Sequence, residues 1–367
     1  MLLLQRKRRF PTMTASPQAS TQRSVASQTV SLSDIISQTA HAKAVTAGKV
    51  RDIRQVTSKL RILALNALIE AKHAGDAGRG FSVVADEVRG ISGEVETLAR
   101  DLSHEIVTLD NLTQSLATQS QGARLTDLAL NAIEIIDRNL YERTCDVRWW
   151  ATDSALVDQA ADPSPERAAY ACERLGVILD SYTVYIDLWL CDLEGRVIAN
   201  GRPHLHRVIG ADVRDRLWFT RALSLRSGAD FAVADITTES LLGGAQIATY
   251  ATGVRRGGKA DGELIGILGI HFDWQPQAKA VVEGVRLAED EKDRTRVLLI
   301  DAQGLVIATS DGKGVLSEHV RLRTEGRSLG HYVDSHSGSM IAFHRTPGYE
   351  TYQGLGWFGV IMQQGAE

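Results

Sequence analysis

Arg216-Leu217-Trp218-Phe219 puts a cation and two aromatic rings on four consecutive residues. A guanidinium grips a carboxylate through paired, charge-assisted hydrogen bonds, and an indole supplies a flat apolar wall. The run reads as an anion grip on one short helix; the competing reading buries Trp218 and Phe219 in a core and pairs Arg216 with a protein acid. His204 and His206 would share a strand face and could take a metal. No Cys or carboxylate pattern accompanies them, so a surface loop is expected. "GLGWFG" at 354–359 has the spacing of a dinucleotide loop. Too few residues follow to form the helix such a site opens, and a terminal strand is expected instead. With no nucleotide loop and no nucleophile–base pair, neither enzyme activity nor a cofactor or metal is expected.

The elements that must position these residues come in three regions. The 367 residues leave room for two or three domains, and 44% hydrophobic content with a net charge of −4 is an ordinary balance. That charge gives no reason to expect nucleic acid as a partner. Cys145, Cys172 and Cys191 lack CxxC spacing and read as reduced thiols. No window approaches twenty apolar residues, and the three leucines ahead of Arg6 are too short for a signal core, so a cytoplasmic chain is expected. Residues 1–31, rich in Ser, Thr and Gln with Arg6, Lys7, Arg8 and Arg9 clustered, read as a disordered basic tail. Residues 32–122 have helical periodicity. From 123 to 179 the pattern is helical again but more globular. From Tyr182 onward, short β-branched and aromatic runs alternate with Gly, Asp and Asn turns, with a helical piece near 212–225. "CDLEGRVIAN" and "IDAQGLVIAT" echo each other as strand, Asp, Gly turn and strand, which predicts two hairpins in two related α/β modules.

Within 32–122 the helical pattern is interrupted once, by Gly75, Gly78 and Gly80. Beyond them Val88, Ile91, Val95, Leu98, Leu102, Ile106, Leu109, Leu112 and Leu116 follow at steps of three and four. Before them come Ile53, Val56, Leu60, Leu63 and Ala67. Two heptad arms joined by a glycine turn make an antiparallel helical hairpin, the glycines relieving the backbone where it reverses. One hairpin leaves a seam uncovered, so a second copy is expected to bury it in a four-helix-bundle homodimer.

"LALNALIEAKHAGDAGRGFSVVADEVR" at the turn closely resembles the signalling tip of bacterial methyl-accepting chemotaxis receptors, without a gap. The resemblance implies a tip near 75–80 that binds a chemotaxis histidine kinase and its coupling adaptor protein. By position, Asn66, Glu70 and Arg79 belong to the polar tip set, and Leu65, Ile69, Phe81 and Val84 to the apolar set. Ser58, Lys59, Leu60 and Arg61 stand where the family usually carries a Gln-Thr-Asn run. The arms, about 45 residues each, would reach roughly 70 Å. No adjacent Glu/Gln pair occurs between 32 and 120, so adaptation by methylation is not expected.

"YIDLWLCDLEGRVIANG", "DRLWFTRAL", "ATYATGVRR" and "LIGILGIHFDW", in that order, look like a double Cache sensor domain over 123–367, with a first module at about 182–274 and a second at about 296–363. The expected fold is thus an α-helical hairpin followed by an α+β, PAS-like double Cache domain with a long N-terminal helix. In amino-acid-binding members an Arg-x-Trp-Tyr run and a later Asp hold the ligand. Here Phe219 stands for the Tyr and His271 for the Asp, so the resemblance implies a small-molecule site at Arg216, Trp218, Phe219 and His271. A histidine is no permanent anion to face an ammonium. An organic anion or heteroaromatic compound is therefore expected, bound more weakly as pH rises if His271 acts as imidazolium. The function expected is that of a cytosolic chemoreceptor; a non-signalling, ligand-binding dimeric scaffold or decoy is the alternative.

Overall fold

The computed structural model describes residues 32–365; the basic tail expected at 1–31 lies outside them. The chain divides into two units between Ala117 and Thr118.

The first unit is a helical hairpin. Helix α1, Leu32–His73, is followed by a single 3-10 turn, Gly75–Gly78, and by α2, Arg79–Trp150, whose first half is the returning arm. Gly75 sits at φ +63°, where a side chain is strained. A Cβ on Gly78 would come within 2.1 Å of the Ala71 carbonyl oxygen, so the arms could not close there around any other residue. Gly80 has open space around it and a helical backbone, so only two of the three glycines are needed for the reversal.

The inside of the hairpin is built from small residues at seven-residue intervals. Val50, Thr57, Ala64, Ala71, Gly78, Ala85, Ser92 and Ala99 are all buried. A strict repeat of seven keeps one face turned to the partner helix, and small side chains let the arms approach closely. Arg61–Glu96 at 3.6 Å and Lys43–Asp110 join the arms with ion pairs. The large apolar residues are left outside. Ile53, Val56, Leu60, Val88, Ile91 and Val95 line an open groove of about 540 Å³.

Helix α2 runs without interruption through 122–123 to Trp150. Gly122 lies within this helix and serves packing. A Cβ at this position would lie 2.1 Å from the His331 ring.

The second unit opens with the later part of α2 and two short helices, α3 (Ser154–Ala161) and α4 (Pro165–Ser181). Both begin at side-chain caps: Asp153 accepts the N–H of Ala155, and Ser164 that of Arg167, with Pro165 in the first turn. Two antiparallel sheets follow. The first comprises β1 (Tyr185–Cys191), β2 (Val197–Asn200), β3 (Ala232–Glu239), β4 (Ala245–Arg255) and β5 (Leu264–Asp273), in the order β2-β1-β5-β4-β3. The second comprises β6 (Thr295–Ile300), β7 (Val306–Thr309), β8 (Leu329–Val333), β9 (Met340–Arg345) and β10 (Phe358–Gln363), in the order β7-β6-β10-β9-β8. The two orders are the same.

The echoed sequences are the first hairpin of each sheet. Asp192 and Asp301 each accept the N–H of the glycine three residues on through their backbone carbonyls. Their side chains accept N–H groups from Arg196 and Leu305. Gly195 and Gly304 lie at φ +85° and +88°, which explains the shared glycine.

Helix α5 is shorter than the 212–225 expected, running Leu217–Leu223. Val213 N–H is held by the Gly195 carbonyl, and Asp212 bridges Arg196, so the chain reaches the helix in an extended form. Helix α6, Trp274–Glu283, connects the sheets. Leu125, Ala129, Ile133, Ile136 and Leu140 of α2 enter one core with residues of both sheets. Gly359 in β10 gives α2 its close approach, since a Cβ there would meet the Ala129 carbonyl oxygen at 2.3 Å. Trp274 packs edge-on to Trp357 at 5.3 Å and donates its indole N–H to the Ile307 carbonyl.

Candidate functional site

Two groups of residues were expected to carry function. The first flanks the hairpin turn. Leu65, Ile69, Phe81 and Val84 are 51%, 49%, 70% and 61% exposed, and Asn66, Glu70 and Arg79 are exposed beside them. Arg79 pairs with Asp76 across the turn at 2.7 Å, and His73 approaches Glu70 at 4.0 Å. Exposed ion pairs of this kind contribute little to stability. The tip is thus held by its backbone and small residues, while its large apolar groups face outward.

The second group lies on one face of the first sheet. Across the ladder Asp187 pairs with His271, Thr249 with His271, Trp189 with Gly269, and Trp189 with Asn200. Directly paired residues project to the same face. Trp218, from α5, covers Gly269, where a Cβ would lie 2.9 Å from the indole. His271 packs between the two indoles, 4.0 Å from Trp189 and 5.7 Å from Trp218 between ring centroids. The structure therefore brings Trp218 and His271 together.

Their environment differs from the expectation. Phe219 is buried among Trp218, Ala222, Leu242 and their neighbours, and is core rather than pocket wall. The Arg216 guanidinium donates to Glu239 Oε1 at 2.8 Å, and Glu239 is buried. The grip expected for a ligand carboxylate already holds a protein carboxylate. His271 is fully buried, with Nδ1 3.1 Å from Thr249 Oγ1. Burial first, then the nearby His206 and Arg216, push its pKa down to about 3. The imidazole is neutral at physiological pH, so it is not the imidazolium the sequence reading considered.

Asn200 Oδ1, Trp218 Nε1 and His271 Nε2 on this face have no partner among the described residues. The Asn200 amide cannot usefully flip, because its Nδ2 donates to Asp187 Oδ2 at 2.8 Å and to the His206 carbonyl at 3.1 Å. Each orphan costs about 1–3 kcal/mol of unrecovered desolvation, and native structures contain few of them. One acceptor, one donor and one imidazole nitrogen thus await partners on one aromatic-walled face.

Asp187 organises this face and was missed from the sequence. Its carboxylate accepts five hydrogen bonds, from the N–H groups of Leu188, Gly201 and Arg202, from Trp189 Nε1 and from Asn200 Nδ2. Burial raises its pKa, and these donors counteract the shift. An Asp inside "YIDLWLC", otherwise an apolar strand, was the available signal. Glu239, Asn200 and Thr249 carried no local signal. His204 and His206 lie on a loop, and among the described residues no cluster of three His, Cys, Asp or Glu is placed to hold a metal. Among them, too, no helix is long and apolar enough to cross a membrane.

Residues 11–148 match the methyl-accepting chemotaxis protein (MCP) signalling domain. The methyl-accepting chemotaxis protein McpS of Pseudomonas putida is 48% identical over 82 residues, covering 22% of this chain and 13% of that protein. The biofilm dispersion protein BdlA of Pseudomonas aeruginosa is 39% identical over 88 residues, covering 23% of this chain and 21% of that protein. The chain thus spans between about an eighth and a fifth of these relatives' length. Among solved structures, the ligand-binding domain of the P. aeruginosa amino acid chemoreceptor PctC, in complex with GABA, covers 66% of this chain and 100% of its own. It has a TM-score of 0.50 and 18% identity. The long helices and two antiparallel sheets are similar in fold to that domain.

Proposed function

We propose that this chain is a chemoreceptor-type signal transducer working in the cytoplasm. Its second unit, a double Cache-like domain, takes up a small molecule. Its hairpin tip, through Leu65, Asn66, Ile69, Glu70, Arg79, Phe81 and Val84, changes the activity of a chemotaxis histidine kinase held with a coupling adaptor. The observation that carries this reading is the sorting of residues in the hairpin. Small residues fill its interior, while large apolar ones are left exposed on the groove and tip. A contiguous apolar surface of this kind marks a binding face. The groove fits a second copy, making a homodimeric four-helix bundle, and the tip fits the kinase–adaptor complex.

The input site is the face bearing Asn200, Trp218 and His271, whose unpartnered atoms a bound molecule would satisfy. Signalling requires that the molecule favour one bundle state over the other. A non-signalling scaffold is the second reading, favoured by the closed Arg216–Glu239 pair. Kinase activity measured with and without the full chain, before and after adding ligands found by a thermal-shift screen, separates the two. Altered kinase activity supports the transducer. Kinase activity unmoved by the protein and by every ligand that binds it leaves the scaffold.

A further inference from the structure

Asp137 lies on α2 within the second unit, and its carboxyl is fully buried. Oδ2 accepts the backbone N–H of Gly348 at 2.8 Å. Among the described residues Oδ1 has no hydrogen-bond partner, and neither has the buried hydroxyl of Thr346. The two orphan oxygens flank one point. A Cβ on Gly354 would lie 2.7 Å from Thr346 Oγ1 and 3.4 Å from Asp137 Oδ1. Gly354, at φ +71°, has no side chain to fill that point.

Among the described residues no ion pair is made to Asp137. From α2 itself comes Glu134, one turn back, whose charge is engaged by Arg138 at 2.6 Å. Arg138 also lies over the Tyr349 ring. From the loop that joins β9 to β10 come the phenols of Tyr349 and Tyr352 and the exposed Glu350. From the first sheet come Tyr250 of β4, whose hydroxyl is 3.2 Å from that of Tyr352, and Asp235 of β3, which faces the Trp357 indole N–H. Among the described residues no cation pairs with Asp137. A carboxylate buried without a cation is a costly species, and the favoured outcome is to take up a proton.

We propose that Asp137 is a proton-binding site that ties α2 to the loop 346–357, so that the second unit responds to pH independently of any small molecule it binds. Protonation removes the uncompensated charge and gives Oδ1 a hydrogen to place in the gap it shares with Thr346. Ionisation leaves a buried carboxylate whose neighbouring donors are the Gly348 N–H and the Thr346 hydroxyl, both neutral, with no cation beside it among the described residues. Burial, reinforced by Glu134 and opposed by the Gly348 N–H, pushes the carboxyl up to about 6, inside the range a cell experiences. The proposal stands on this cluster and does not require the chemoreceptor reading.

The test is thermal unfolding of the full chain between pH 4.5 and 7.5, for wild type, Asp137→Asn and Glu134→Gln. A folded-state pKa above the unfolded value of about 3.9 means that the folded chain holds the extra proton between the two. Wild-type Tm should therefore carry a component that falls as pH rises to about 6 and then levels. Asp137→Asn should lose that component and melt higher than wild type at pH 7.5. Glu134→Gln keeps Asp137 but removes the adjacent anion, and should move the step to lower pH. An Asp137→Asn profile that keeps the wild-type step, or melts lower at pH 7.5, overturns the proposal. If Asp137→Asn does not fold, a Glu134→Gln step that stays at the wild-type pH overturns it alone.

Discussion

The rings of Trp189 and His271 stand 4.0 Å apart between centroids, on neighbouring strands of the first sheet, with Trp218 closing over His271 from α5. Trp189 has its N–H satisfied by Asp187, whereas Trp218 and His271 each keep one ring nitrogen without a partner. Trp218→Phe deletes such an N–H and keeps an aromatic ring. In the free protein the gain from removing an orphan donor is opposed by the cavity the smaller ring leaves, so Tm should fall modestly. A ligand that accepts from that N–H should lose about 0.5–1.5 kcal/mol, roughly two- to twelve-fold in affinity. Calorimetric titration beside a melting curve checks both signs; equal affinity in both proteins would move the ligand off this face.

His271 sets a pH dependence of stability with the opposite sign to that of Asp137. Its folded-state pKa, about 3, lies below the unfolded value of 6.5. Between these values the unfolded chain binds the extra proton, so this contribution is present above about pH 6.5 and is lost as pH falls. Ligand affinity at this face should stay flat between pH 6 and 8. His271→Phe should flatten the acid limb of the melting profile, and an unchanged limb would assign the loss to another group.

Assembly is tested on residues that the fold itself does not use. Leu98 is 67% exposed and Leu102 39%, whereas the hairpin interior is made by Ala64, Ala85, Ser92 and Ala99. Replacing Leu98 and Leu102 with Lys should leave helix content intact and convert a dimer to a monomer in sedimentation. A dimer mass that persists would put the contact on the second unit.

For output, Glu70→Ala, Arg79→Ala and Phe81→Ala change exposed tip residues and should leave the circular dichroism spectrum unaltered. Each should reduce capture of a purified kinase–adaptor complex. Wild-type capture by all three would remove the tip from the docking surface.

Gly122 supplies a stability test. Gly122→Leu sets a side chain against His331, where even a Cβ would lie 2.1 Å from the ring. Overpacking of this kind costs about 1–3 kcal/mol, so Tm should fall. The same substitution at Gly90, which has open space around it and lies within a helix, should be neutral or stabilising.

Local patterns were enough to indicate the hairpin, its turn and the two echoed strand pairs. Heptad spacing, a left-handed glycine and an Asp–Gly turn act over a few residues, and each depends on its neighbours in the chain. Residues that face each other across a fold leave no such trace. Nothing near Arg216 names Glu239 as its partner, and nothing near His271 shows that two indoles and a sheet will keep it neutral. Gly122 carries no local sign of its role, and only β8 makes it a packing site. The division of the hairpin's apolar residues is another tertiary result. Periodicity marks which residues avoid water, but closely packed arms admit only the small ones and turn the large ones outward. Asp137 was invisible for the same reason: its missing counter-ion is a property of α2, the 346–357 loop and the first sheet together, because burial and the absence of a cation are decided by every element that surrounds a charge.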